Sequence, residues 1–122
     1  MVVILELKTS QSTAIKIVVD AINSLLTDAN FDFFPYNMEN DNGEPIIGGM
    51  VVKEVNKTGK ILVYMKLEAD KFDVYKYNYH KKKLTLGIDI NNLLKFLKFM
   101  SQFYNMSWLV YDDDINKLCI IL

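Results

Sequence analysis

The sequence predicts an α+β domain in which two helices are packed on a twisted antiparallel sheet. The length of 122 residues is that of one domain. The 51% hydrophobic and 24% charged residues are typical of a globular protein with a single core. Strand-like segments occur before and after two amphipathic helical segments, so the order strand, helix, strands occurs twice along the chain.

The first half begins with an apolar, β-branched run at residues 2–8, which predicts a strand. Thr9 and Ser10 then provide hydroxyl groups for the N-cap of a helix that we expect to continue to about Asp28. The apolar residues of this segment predict one broad buried face: Ala14, Ile15, Val18, Ala21, Ile22 and Leu25. Its polar residues recur at helical spacing and predict one narrow exposed stripe: Lys16, Asp20, Asn23 and Thr27.

Further strands follow the first helix. Residues 31–34 predict a short strand that ends at Pro35, because proline cannot donate a hydrogen bond to a neighbouring strand. Residues 36–47 are polar and rich in turn-forming residues, which indicates a solvated loop. Residues 48–55 and 60–68 predict two more strands on either side of a turn.

The second half repeats this order around another helix. Strands are predicted at residues 73–79 and 84–88 before the helix. Two strands are predicted after it, at residues 106–111 and 117–122, and an acidic turn at 112–114 joins them.

The second helix is predicted over residues 91–103, with Asp89 or Asn91 as its N-cap. Its polar residues have the same spacing as those of the first helix: Asn91, Lys95, Lys98 and Gln102. Its apolar residues are expected on the opposite side: Leu93, Phe96, Leu97, Met100 and Phe103. Two side-by-side helices on a sheet would expose both polar stripes on one surface.

The sequence contains no arrangement of residues that is typical of a catalytic centre. The single histidine, His80, lies in a lysine-rich turn, and the single cysteine, Cys119, lies in an apolar run where burial is expected. Residues 112–114 lack the spaced oxygen ligands and the glycine of a calcium loop. Gly48 and Gly49 lack the helix, lysine and hydroxyl of a phosphate loop. We therefore expect no enzymatic activity, no cofactor and no metal site.

The charged residues point to a local basic surface. A net charge of −1 argues against a dedicated tight nucleic-acid binder. Lys16, Lys95 and Lys98 nevertheless recur in the two polar stripes, where they form either a local basic surface or a solubilising helix edge. All 14 basic residues are lysines, and Asn and Ile are abundant, which suggests an AT-rich genome such as that of a large DNA virus. No apolar run approaches the roughly 20 residues that span a bilayer, so no membrane association is expected.

Residues 66–100 resemble a stretch of the proliferating cell nuclear antigen family of DNA sliding clamps, and most of the chain outside 36–47 follows the same order of motifs. The matching features are Asp-Ala-Asn-Phe-Asp at 28–32, Leu67, Phe-Asp-Val-Tyr at 72–75, Gly-Ile-Asp-Ile at 87–90, and Lys95 with Lys98. Members of this family form closed homo-oligomeric rings around duplex DNA, with helices lining the hole. They tether polymerases and other proteins of replication and repair. The resemblance implies that Lys16, Lys95 and Lys98 face the DNA and contact phosphates without reading sequence.

The resemblance also implies a pocket for partner peptides at Val55, Gly59, Lys60 and Leu62. The family commonly has a histidine where Gly59 stands and an apolar residue where Lys60 stands, so the chain departs from the family pattern at both positions.

The family's first domain has one more strand after the one that matches residues 117–122, and that strand joins neighbouring subunits. Residues 1–122 are therefore expected to be a single N-terminal clamp domain without its last strand and without the second domain. A fragment of a longer clamp is favoured over a naturally short relative. The edge expected to contact another chain is Lys117, Leu118, Cys119, Ile120, Ile121 and Leu122. The 122-residue chain itself is expected to be a monomer or a strand-paired dimer and not a closed ring.

The resemblance predicts a processivity factor that acts in a nucleus or at a cytoplasmic viral replication site. One alternative keeps the fold but makes it an interaction module in transcription or checkpoint control that does not encircle DNA. Another is an unrelated α+β domain with a small-molecule site, which would require a deep pocket with converging polar groups.

Overall fold

The computed structural model of the chain describes residues 2–36, 38–39, 42–43, 45–46, 48–56, 58–99 and 105–121. The helices within these ranges are α1 (Ser12–Asn23), α2 (Ile90–Phe99) and a 3₁₀ turn at Ala69–Lys71. The strands are β1 (Val3–Thr9), β2 (Asp28–Phe34), β3 (Met38–Glu39), β4 (Pro45–Ile46), β5 (Gly49–Val55), β6 (Leu62–Glu68), β7 (Val74–Tyr77), β8 (Leu84–Asp89), β9 (Met106–Tyr111) and β10 (Asp114–Ile121).

The α+β class is confirmed, and the strands form two sheets where one was expected. Sheet A has the order β10-β9-β1-β7, and sheet B has the order β6-β5-β2-β8. All pairings are antiparallel, and β3 and β4 pair only with each other, within the predicted loop. The strand that precedes each helix pairs with a strand of the other half, β1 with β9 and β8 with β2. The two halves are therefore joined through both sheets.

Both helices contribute to one continuous hydrophobic core with both sheets. The side chains without measurable exposure lie mainly on the sheets, including Leu5, Phe31, Phe33, Val52 and Val110. Helix α1 adds Ile15, Val19 and Ile22, and helix α2 adds Ile90, Leu93, Leu94 and Leu97. The helices pack side by side. Their outward sides therefore belong to one helical layer.

Helix α1 is shorter than the sequence predicts. It ends at Asn23, and the chain enters β2 at Asp28, which pairs with Asp89 of β8. The pairing with β8 decides this boundary, because strand pairing satisfies backbone groups that a longer helix would have used. The predicted N-cap is also wrong: Gln11 occupies that position without a side-chain bond, while the Thr9 hydroxyl accepts a hydrogen bond from the Gln11 N–H at 3.0 Å. Ala14, Ala21 and Leu25, which were expected to be buried, are exposed. Val19 and Leu26 are buried instead.

Helix α2 begins as predicted. The Asp89 carboxylate accepts a hydrogen bond from the Asn92 N–H at 3.0 Å, which confirms Asp89 as the cap. Residues 100–104, which include the predicted helical Met100, Gln102 and Phe103, lie outside the described residues.

Tyr75 connects the two sheets at one corner of the domain. Its hydroxyl group, on β7 of sheet A, donates a hydrogen bond to the Phe34 carbonyl oxygen at 2.5 Å and lies 3.1 Å from the Gly49 carbonyl oxygen. Burial raises the pKa of Tyr75 well above its ordinary value. Gly49 has φ +146°, and a Cβ there would lie 2.2 Å from the Leu67 carbonyl oxygen, so only glycine permits this close approach.

Candidate nucleic-acid interface

Lys95 and Lys98 lie on the exposed side of α2. The helix buries Leu93, Leu94 and Leu97, and both lysines are exposed. The sequence of α2 contains no acidic residue, so its side chains carry a net charge of +2. Lys98 also lies in the last turn, where a positive charge interacts favourably with the helix dipole. These two side chains can reach an anionic ligand placed along the helical layer.

Lys16 occupies a different position on α1. It is half-buried at the flank of the helix, whereas Ile17 beside it is 64% exposed. Asp20 is also exposed, so the two charges of α1 cancel. The equal spacing of polar residues in the two helices therefore does not produce two equally basic surfaces. Lys16, Lys95 and Lys98 were expected to be exposed on one helical surface; Lys95 and Lys98 are exposed, whereas Lys16 is half-buried.

Two exposed phenylalanines accompany the lysines of α2, and the sequence pattern did not reveal them. Phe99 is 80% exposed, and Phe96, which was expected on the buried side, is 39% exposed. Phe96 lines a groove of about 300 Å³ with Leu93 of the same helix and with Leu118 and Ile120 of β10. The helical period places Phe99 on the side of α2 opposite the buried leucines, so this period is the sequence signal that indicates its exposure.

The predicted partner-peptide residues lie at one end of sheet B. Val55 and Leu62 are directly paired across β5 and β6 and are 53% and 57% exposed. Gly59 and Lys60 lie in the connecting turn, which the Asn56 side chain holds by accepting hydrogen bonds from the backbone N–H groups of residues 60 and 61 at 3.2 and 3.1 Å. The four residues therefore lie close together, and Val55 and Leu62 form the apolar part of this group.

The predicted subunit contact lies on an outer strand. Residues 117–121 belong to β10, which pairs only with β9 and forms one edge of sheet A among the described residues. Strand β6 forms an edge of sheet B in the same way. Cys119 is half-buried and has no disulfide, and Leu122 lies outside the described residues. The free backbone of both edge strands can pair with another chain.

The residues with possible catalytic chemistry are dispersed. Within the described ranges, no group of three His, Cys, Asp or Glu side chains could hold a metal ion. His80 is exposed and stacks edge-on against Tyr79 with ring centroids 4.6 Å apart. The Asp112 carboxylate accepts a hydrogen bond from the Val2 N–H at 2.9 Å, which is a structural role. No described helix is long and apolar enough to cross a membrane.

Comparison with known proteins assigns the family. A family model described as the N-terminal domain of proliferating cell nuclear antigen matches residues 4–122. The proliferating cell nuclear antigen of Chaetomium thermophilum is 31% identical over 94 residues, which are 77% of this chain and 30% of that protein. The chain thus spans less than a third of the relative's length. Because this match extends over both sheets and both helices, the chain belongs to the family of the N-terminal domain of proliferating cell nuclear antigen.

Proposed function

We propose that this chain is the N-terminal domain of a DNA sliding clamp. In the full-length protein it helps to encircle duplex DNA and to tether replication proteins to it. The observation that carries this proposal is the exposed pair Lys95 and Lys98 on a helix without acidic residues, in a chain whose family match covers residues 4–122. Such a protein acts where DNA is replicated, in a nucleus or at a cytoplasmic viral replication site.

The DNA contact depends on a few mobile charges. Each lysine ammonium group contacts phosphate oxygens without reading base edges, so the contact is independent of sequence. Lysine is a flexible point charge, and its contacts can exchange between neighbouring phosphates as the ring moves along the duplex. We assign the main contact to Lys95 and Lys98, which are exposed, and a secondary contact to Lys16, which is half-buried.

The tethering role is assigned to the exposed end of β5 and β6. Val55 and Leu62 provide a small apolar surface for a partner peptide, and Gly59 and Lys60 form its border. In the family an apolar residue commonly occupies the position of Lys60. This chain differs from that pattern by presenting a positive charge at the border of the apolar surface. We infer that DNA polymerase and other clamp-binding proteins dock here through short peptides.

Ring formation is assigned to the outer edges of the two sheets, where the further strand that the family resemblance implies would extend sheet A beyond β10 and contact the next subunit. A head-to-tail contact between different surfaces closes into a ring when the rotation between subunits permits it. Strand β10 presents residues 117–121 at its edge, and the groove formed with Phe96 lies beside it. Side chains of a strand added at this edge would fill the groove and bury Phe96 along with the edge backbone, which supports the β10 side of sheet A as one side of the contact.

The test is whether the full-length protein is held on DNA by topology. A closed ring should stay on a nicked circular plasmid after a high-salt wash, because salt screens phosphate contacts but cannot open the ring. It should be lost when a restriction enzyme linearises the plasmid. Equal loss from circular and linear DNA would exclude an encircling clamp and favour the interaction module that shares its fold.

A further inference from the structure

The outer face of sheet B is divided into two chemically different parts. Its strands alternate less exposed and more exposed residues, so the outward side chains of neighbouring strands lie together, with Asp32 and Val51 half-buried among them. On β2 and β8 these side chains are acidic or neutral: Asp28, Asn30, Asp32, Thr85 and Asp89. On β5 and β6 they are apolar or basic: Val51, Lys53, Val55, Leu62, Tyr64 and Lys66. We call the second set the β5–β6 surface.

The strand register shows which side chains of the β5–β6 surface are neighbours. Lys53 is directly opposite Tyr64, with Val55 opposite Leu62 on one side of this pair and Val51 opposite Lys66 on the other. Directly opposite residues have Cβ atoms about 5 Å apart, so these side chains form one continuous surface. Tyr64 is 59% exposed, which makes it as prominent as Leu62.

The charges of this surface have no partner within the domain. In the part of the chain that the structure describes, neither Lys53 nor Lys66 has a carboxylate within ion-pair distance. The Glu54 carboxylate is directed towards β2, where it accepts a hydrogen bond from the Asn30 N–H at 3.0 Å. Glu68 lies at the end of β6 distant from Leu62 and is half-buried. The surface is therefore apolar at one end and positively charged beyond it.

We propose that the β5–β6 surface binds a partner protein segment in which apolar or aromatic side chains are followed by Asp or Glu residues. The apolar side chains cover Val55, Leu62 and Tyr64, and the carboxylates pair with Lys53 and Lys66. This proposal rests on the tethering role proposed above, because it specifies the chemistry of the tethered segment. Tyr64 becomes an anchor residue, since a large ring buries much area with little loss of side-chain entropy.

Charge complementarity separates this partner from a nucleic acid. The side chains of Val55 and Leu62, beside Tyr64, are aliphatic, which disfavours a row of phosphates at this position. The acidic side chains of β2 and β8 on the same face would repel a polyanion that extends across the sheet. A short acidic segment that follows β6 and the outer side of β5 carries fewer charges and does not cross β2 and β8, so it meets less of this repulsion.

The test uses the 122-residue chain and three labelled synthetic peptides with the same Leu-Phe centre. One peptide has Asp and Glu after the centre, one has Asn and Gln, and one has Lys. Fluorescence anisotropy should give the tightest binding for the acidic peptide.

The double substitution Lys53→Glu with Lys66→Glu should weaken binding of the acidic peptide by roughly fivefold and strengthen binding of the lysine peptide. Tyr64→Ala should weaken the acidic and neutral peptides by roughly tenfold. Lys76→Glu, at an exposed lysine of β7 in sheet A, is the matched control and should change nothing.

Each contrary result overturns the inference in a recognisable way. Equal binding of the acidic and neutral peptides would remove the role of Lys53 and Lys66 but leave apolar docking intact. No binding by any peptide, in a protein still retained on circular DNA, would reject this surface while the clamp function stands. Displacement of the acidic peptide by a single-stranded oligonucleotide at equal concentration would assign the surface to nucleic acid instead.

Discussion

Helices α1 and α2 occupy corresponding places in the two halves, but they present different surfaces. Each directly follows a strand that pairs with the other half, and the two helices pack side by side. On α1 the most exposed large side chain is Ile17, while Lys16 is half-buried. On α2 both lysines are exposed. The difference teaches that similar polar spacing predicts a similar helix but does not determine which positions of that helix face the solvent.

The same asymmetry extends to the strands that follow the helices. Phe31 on β2 has no exposed surface, and Trp108 on β9 is buried but has an indole N–H without a hydrogen-bond partner among the described residues. Phe31→Ala should lower the free energy of unfolding by about 3–5 kcal/mol, because it leaves a cavity at the centre of the core. Trp108→Phe should change it by only about 1 kcal/mol, since the poorer packing is offset by removal of the unpaired donor. Urea denaturation measures both, and a larger loss for Trp108→Phe would reverse the comparison.

The glycines of sheet B allow a matched backbone comparison. Gly49→Ala should destabilise the domain by about 1–3 kcal/mol, because the backbone conformation is unfavourable for alanine and the Cβ meets the Leu67 carbonyl group. Gly87→Ala on β8 is the control: its Cβ would meet only the Asn30 side-chain oxygen, at 3.5 Å. We expect a change within about 0.5 kcal/mol there. Equal thermal unfolding midpoints for the two variants would contradict the close approach at Gly49.

Tyr75 should make the junction of the two sheets sensitive to alkaline pH. Burial raises its pKa above the ordinary value of 10.0, so the folded state retains the proton that the unfolded chain releases. Its contribution to stability is complete below about pH 10 and declines as the pH rises towards the folded pKa. Burial and the neighbouring Tyr79 also raise the pKa of Tyr77, to about 12, so it acts in the same direction.

Tyr75→Phe separates the two tyrosines. It should lower stability at neutral pH by about 1 kcal/mol, through loss of the hydrogen bond to Phe34, and should reduce the alkaline decline. Denaturation at a series of pH values measures both effects. An unchanged alkaline slope in this variant would assign the decline to Tyr77 or to other residues.

The smallest expected effect tests the two helices directly. In the full-length clamp, Lys95→Ala with Lys98→Ala should lower the slope of log affinity for duplex DNA against log salt by about one unit for each phosphate that is no longer neutralised. Lys16→Ala should lower it less, because this side chain is half-buried. Equal slopes for all variants would return the lysines to a solubilising role, and a larger effect of Lys16→Ala would reverse the order of the helices.

Local pattern was sufficient to predict most elements of the fold. The strand at residues 106–111 was predicted with the bounds of β9, and Asp89, one of the two predicted caps of α2, is the cap. The alternation along β6 separates Val63 and Met65, which pack against the core, from exposed Tyr64 and Lys66. The end of α1 could not be predicted in this way, because residues 24–28 have helical apolar spacing and Asp28 is held by pairing with a strand that lies far along the chain.

The candidate sites divide in the same manner. Val55 and Leu62, which are exposed, were indicated by the family resemblance alone. The sequence did not identify Tyr64, Phe96 or Phe99 as exposed, because exposure depends on which neighbours cover a side chain. The DNA-facing, docking and subunit-contact roles stay predictions that the experiments above address.

The sequence by itself determined the fold class, the order of the elements and the family, because hydrophobic period, capping residues and short motifs are local properties of the chain. Only the tertiary structure decided how the strands divide into two sheets and which lysines are exposed. It also decided that the basic and acidic parts of sheet B are separate. The physical reason is that sheet membership and exposure arise from contacts between residues distant in sequence, such as β1 with β9 and β2 with β8.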